Sequence, residues 1–147
     1  MTRIDFYQIE TDEPANLFTC RLIEKAWHQG NRVYVHTAGA EESRSLDDLL
    51  WTFRADSFIP HDQLAANPTG PVHIGHADEP GDHDGVLINL GGGVPDFFSR
   101  FERVAEIVPL SDESRQIARQ NYTFYQHRGY PLDYHAITQG KTRGDSA

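Results

Sequence analysis

The stretch Ile4–Thr37, IDFYQI-ETDEPANLFTCRLIEKAWHQGN-RVYVHT, decides the fold. Ile4 to Ile9 alternates apolar and polar residues, the period of a half-buried strand. Asp12 is the expected cap of a helix, with Glu13 and Pro14 in its first turn. Ala15, Phe18, Leu22, Ile23, Ala26 and Trp27 trace one helical face, and Gly30 closes it. Arg32 to Thr37 is a second strand. Strand, helix and strand joined by short links form a parallel crossover unit, because parallel strands need such a connection.

Outward from that unit the alternation continues. Gly39 and an acidic turn lead into a helix over Ala40–Phe53, with Leu46, Leu49, Leu50 and Phe53 on its apolar stripe. Ala55-Asp56-Ser57 reads as a turn, and Ser57-Phe58-Ile59 as a short extended run stopped by Pro60. Trp51 and Phe58 lie off the main apolar stripe. They are either core rings or anchors for a partner protein. Residues 63–71 read as a polar loop, 72–76 as a strand and 78–85 as an acidic loop. Val86 to Leu90 is the clearest buried strand. The turn Gly91–Asp96 leads to a predicted helix carrying Phe97, Phe98, Phe101 and Val104. Glu106–Val108 is a last short strand. A final helix starts at Ser111 or Asp112, runs to about Arg128, and ends at Gly129 and Pro131. Together these elements predict one three-layer, Rossmann-like α/β domain over 1–138. Its sheet is mostly parallel with helices on both faces, and 139–147 form a polar, disordered tail.

Composition narrows the function. A chain of 147 residues, 38% hydrophobic and 24% charged, is an ordinary single globule. No apolar run has the length of a membrane span, and the N-terminus lacks signal-peptide character. Cys20 is the single cysteine, which fits a cytoplasmic setting and a boundary position inside the first helix. The net charge of −9 gives no general attraction for a phosphate backbone. Direct binding of nucleic acid would need a concentrated basic patch against this field, so any DNA is expected to be met only indirectly, through other proteins.

Three chemical readings come out weak. Gly91-Gly92-Gly93 after a buried strand is where parallel sheets bind phosphate, but neither G-x-G-x-x-G nor Gly-Lys-Ser/Thr is present, and Asp96 sits where an anion would lie. His73, His76 and His83 stand near several acids, without the cysteine pairs of a closed zinc site. No nucleophile elbow and no clearly polarised pair of carboxylates points to catalysis. No catalytic, cofactor or metal residue is expected.

The final helix is more informative. On a wheel of 3.6 residues per turn, Arg115, Arg119 and Tyr122 share a stripe expected to face solvent, while Ile117, Phe124 and Tyr125 should pack on the sheet. Two arginines one turn apart beside a tyrosine can take carboxylates and an apolar ring together.

The pattern L-D-x-L-L-W at 46–51, then Ser57-Phe58-Ile59-Pro60-His61, resembles the chi subunit of bacterial DNA polymerase III. Ile107-Val108-Pro109, Arg115-Gln116-Ile117-Ala118-Arg119, Tyr122, Tyr125 and Gly129-Tyr130 extend the resemblance over nearly the whole chain. It implies a non-catalytic accessory subunit of the clamp-loader complex. Trp51 and Phe58 would receive the psi subunit. Arg115, Arg119 and Tyr122, with a notch beside Val108, would receive the acidic, carboxylate-ended tail of single-stranded DNA-binding protein. Thr123 stands where such subunits often carry lysine, which implies weaker tail binding or a share of the load on Arg128 and His127. The alternatives are an adaptor for a repair helicase and a nucleotide-binding enzyme using Gly91–Gly93.

Overall fold

The computed structural model describes residues 2–52, 61–63, 72–76, 84–90 and 92–138, and for Trp51 and 61–63 the backbone alone. The elements in chain order are β1 (Arg3–Ile9), α1 (Ala15–His28), β2 (Val33–His36), α2 (Ala40–Thr52), β3 (His61–Gln63) and β4 (Val72–Gly75), followed by β5 (Val86–Asn89), a 3₁₀ turn (Phe98–Arg100), β6 (Arg103–Val108), α3 (Asp112–His127) and β7 (Leu132–Ile137). The strands form one seven-stranded sheet in the order β3-β4-β2-β5-β6-β1-β7. Every neighbouring pair is parallel.

Alternation along the strands builds the two cores. Ile9, Val33, Val35, Ile74, Ile88 and Ile107 point to one face and bury Phe18, Ile23, Leu46 and Leu50 of α1 and α2. Ile4, Phe6, Tyr34, Leu87 and Val104 point to the other, against Ala118 and Tyr125 of α3 and Phe98 of the 3₁₀ turn. The result is a sheet with two helices on one side and one on the other, the three-layer arrangement that parallel crossovers favour. At β4, Gly75 lies directly against the Tyr34 ring, so that a Cβ there would strike the phenol oxygen.

Several expectations are corrected. Helix α1 begins at Ala15, and Pro14 occupies the cap position without a side-chain bond. Asp12 is exposed, and Thr11 Oγ1 instead accepts from the Glu13 N–H at 3.2 Å. The predicted helix after Asp96 is a 3₁₀ turn, and Val104 belongs to β6. Spacings of three among Phe98, Phe101 and Val104 imitate a helix because all three reach the same core from a turn followed by a strand. Strand β6 therefore starts at Arg103 rather than Glu106, and it is not the last: β7 pairs with β1 from Ile4↔Leu132 to Ile9↔Ile137. Strand β3 lies where a loop was expected to start. The turn at 55–57, Phe58, His83, Gly91 and the tail 139–147 lie outside the described residues.

Candidate functional site: the flanks of the last helix

Helix α3 opens with Ser111, whose Oγ accepts from the Ser114 N–H at 3.1 Å, and with Asp112 and Glu113 in its first turn. The capping bond satisfies an end donor and the acids suit the positive end of the helix dipole. Its buried residues are Ala118, Asn121 and Tyr125. The expected sheet-facing residues Ile117 and Phe124 lie at the margin of this stripe, half-buried.

On one flank, Arg115 Nη2 donates to Glu10 Oε1 at 3.0 Å and to the Ile9 carbonyl at 3.5 Å. Arg119 is exposed. Tyr122 does not face solvent freely, as its place on the wheel suggested. Its ring packs on Phe6 at 5.4 Å and on Tyr134 at 6.4 Å between centroids. Tyr134 itself lies stacked over Phe6 at 6.0 Å and remains 49% exposed. Its hydroxyl donates to Gln8 Oε1. Burial raises the Tyr134 pKa and Glu10 adds to the rise, while Arg115 and Arg119 oppose it, so both cations act on this ring's hydroxyl. The flank is thus an aromatic ledge bordered by two guanidinium groups. Sequence reasoning missed Tyr134 because it missed β7.

The remaining predicted residues are placed differently. Val108 is 2% exposed, inside the core beneath α3. Thr123 is exposed on the outer face. Arg128 follows Arg119 by nine residues, about two and a half turns, which carries it to the far side of the axis. There its guanidinium lies 3.6 Å from the Phe124 ring centre, a cation–π contact. The structure therefore brings together Arg115, Arg119 and Tyr122, and separates them from Arg128. For the psi surface, Trp51 lies on α2 with its side chain undescribed, and Phe58 lies outside the described residues.

The inner flank holds a polar group that the sequence reading passed over. Glu106, on β6, is 4% exposed. Its carboxylate accepts from the Tyr125 hydroxyl at 2.6 Å, from Asn89 Nδ2 at 3.1 Å and from Asn121 Nδ2 at 3.4 Å. Burial raises the Glu106 pKa to about 7 despite these donors. The same asparagines hold the glycine turn: Asn121 Nδ2 donates to the Gly92 carbonyl at 2.8 Å, and Asn89 Nδ2 to that of Gly93 at 3.2 Å. Gly92 has φ +94°, a conformation that favours glycine. A crevice of about 600 Å³ opens here beyond the strand ends, and its charged lining residues are Glu42, Glu106 and Glu113.

Among the described residues no group of three or more His, Cys, Asp or Glu side chains could hold a metal ion, and no helix is long and apolar enough to cross a membrane. A family model described as "DNA polymerase III chi subunit, HolC" matches residues 1–133. The chain is 43% identical over 139 residues to the DNA polymerase III subunit chi of Pseudomonas aeruginosa, covering 93% of this chain and 98% of that one. It is 28% identical over 142 residues to the subunit chi of Escherichia coli, covering 90% and 97%. Over 117 residues it is 26% identical to that of Haemophilus influenzae, covering 77% and 81%. The chain belongs to the DNA polymerase III chi subunit family.

Proposed function

We propose that this chain is a non-catalytic, cytoplasmic bridging subunit of the replication machinery. One surface, with Trp51 and Phe58, takes a psi-like clamp-loader subunit. The outer flank of α3 captures the acidic C-terminal tail of single-stranded DNA-binding protein. The observation that carries the second contact is the ledge of Tyr122 and Tyr134, seated on the buried Phe6, beside Arg115 and Arg119 in a chain of net charge −9. Guanidinium groups pair with carboxylates, and the aromatic ledge accepts a terminal apolar ring. Holding the polymerase at a second point raises the effective concentration at which its other contacts re-form.

The rival reading, a nucleotide site at the glycine turn, meets an adverse field. The crevice there is lined by three glutamates, and the Gly92 and Gly93 carbonyls are engaged by asparagines. Carboxylates and carbonyl oxygens repel phosphate rather than cradle it.

The test is a fluorescence-anisotropy titration with an acidic peptide ending in a free-carboxylate phenylalanine, at two salt concentrations. Saturable binding that weakens with salt and disappears without the terminal phenylalanine is expected. Absence of binding at high protein concentration would remove the tail-capture reading. Co-purification with a psi-like subunit, reduced in Phe58→Ala, tests the other surface.

A further inference from the structure

At the opposite end of the sheet from the crevice, where β1, β5 and β6 begin, a cavity of about 270 Å³ lies between these strands and α1. Its volume falls just below the ~300–1,000 Å³ of typical small-molecule sites. The gap exists because small side chains meet there: Ala26 on α1 and Ala105 on β6, with Val86 beside them. A larger pair would close the helix onto the sheet as it is closed further along, where Phe18 and Ile23 fill the same layer.

The rim is polar and carries more cations than carboxylates. Arg3, Lys25, Arg103 and His135 line the cavity, with Asp5 the one carboxylate. Asp5 has a side chain only 3% exposed, held by Arg103 at 3.0 Å and by His135 Nε2 at 3.1 Å. Arg3 reaches outward to Asp133 at 2.8 Å. Lys25 has no carboxylate within ion-pair distance among the described residues. Its charge therefore adds to a rim whose one acid, Asp5, is already paired, on a molecule of net charge −9. The C-terminal end of α1, which would repel an anion, is closed by its own backbone. The N–H groups of Gln29, Gly30 and Asn31 donate to the carbonyls of Lys25, Trp27 and Ala26. One wall is stiffened by Tyr7, whose ring stacks on His135 at 4.8 Å.

An apolar floor under a cationic rim selects for a ligand with the same division. We propose that this cavity binds a small oxyanion, a phosphate monoester or carboxylate carried on a compact apolar body. The body rests on Ala26, Ala105 and Val86, and the head meets Lys25, with the guanidinium of Arg103, which also holds Asp5, beside it. The site is independent of the tail-binding flank, which lies on the other face of the sheet.

The test is an NMR titration of the full chain with phenyl phosphate, phenylacetate and inorganic phosphate. Saturable shifts at Tyr7, Lys25, Arg103 and His135 are expected with one or both aromatic ligands, and much weaker ones with inorganic phosphate. Which aromatic ligand binds more tightly identifies the head group. Lys25→Gln should weaken binding several-fold with Tm unchanged, and Ala26→Val, which fills the floor, should abolish it. The proposal is overturned by an absence of saturable shifts at millimolar ligand. It is equally overturned by binding that survives both substitutions, by inorganic phosphate binding as well as phenyl phosphate, or by shifts confined to α3 that vanish in Arg119→Ala.

Discussion

The two flanks of α3 carry polar groups of similar kind and use them in opposite ways. On the inner flank, Asn121 and Tyr125 aim at a single buried carboxylate, and their donors are consumed within the fold. On the outer flank, Arg119 is exposed and Arg115 is only partly engaged by Glu10, with its Nε buried and unbonded. A turn of helix separates a network that specifies packing from a surface suited to binding. Composition cannot tell the two apart; the partner strand can. Strand β6 supplies an acid to one flank, and β1 and β7 supply rings to the other.

The comparison breaks first, and most severely, at Glu106. Glu106→Ala leaves the Tyr125 hydroxyl without its acceptor and each asparagine amide with only its glycine carbonyl, at ~1–3 kcal/mol for each buried donor left unsatisfied. A loss of at least about 3 kcal/mol in urea unfolding is expected, with weakened tail binding only as a by-product of unfolding. Glu106→Gln keeps an acceptor and isolates the charge. The wild-type carboxyl, held near 7 against 4.5 in the unfolded chain, keeps its proton in the native state where the unfolded state has lost it. Its contribution is therefore full below the unfolded value and is lost as pH rises through about 7. Unfolding midpoints measured across that window should fall for wild type more than for Glu106→Gln. Equal slopes would show that Glu106 does not titrate there.

On the outer flank the order reverses, with binding affected and stability spared. Arg119→Ala should weaken the tail peptide by about tenfold or more, since a charge-assisted hydrogen bond contributes ~1.5–3 kcal/mol. Its unfolding free energy should stay within about 0.5 kcal/mol, as for other exposed sites. Glu10→Gln sharpens the contrast. It releases Arg115 from an internal carboxylate that competes with the tail, so anisotropy should show a several-fold gain in affinity. Unchanged affinity would mean that Arg115 serves β1 alone. Thr123→Lys gives the smallest effect, about a twofold gain that disappears at high salt, as expected of one exposed charge.

The first crossover was legible because each of its signals is local. Alternation in Ile4–Ile9, the apolar face of α1 and a terminal glycine all lie within a few residues of what they specify. The class of fold followed, while the family resemblance rested on the motifs at 46–61 and 107–130. Strand β7 was not legible. Leu132–Ile137 exposes Asp133, Tyr134 and Ala136, and its extended form comes from register with β1, more than 120 residues earlier. Missing β7 also misplaced Tyr122, which was read as solvent-facing because the ring covering it was unforeseen. Arg115, Arg119 and Tyr122 were placed on one flank of α3 because helical spacing is itself a short-range rule. Arg128 was grouped with them by nearness in sequence, and nine residues of helix turned it away. Glu106 left one signal, an acid inside the apolar run Val104–Val108 at a core-facing position of the strand.

The position of β1 between β6 and β7 also bears on how the molecule is made. Neither neighbour exists when the first strand leaves the ribosome. At ~5–20 residues per second, synthesis reaches Leu132 on the order of ten seconds later. Until β6 is made Ile4 and Phe6 have no sheet to join, and the earliest pairing open to the nascent chain lies among β2, β4 and β5; β6 then covers one edge of β1, and β7 covers the other only at the end. Strand β1, made before the other six, is thus the last to be enclosed, and a chain released before Ile137 would leave it with one edge open.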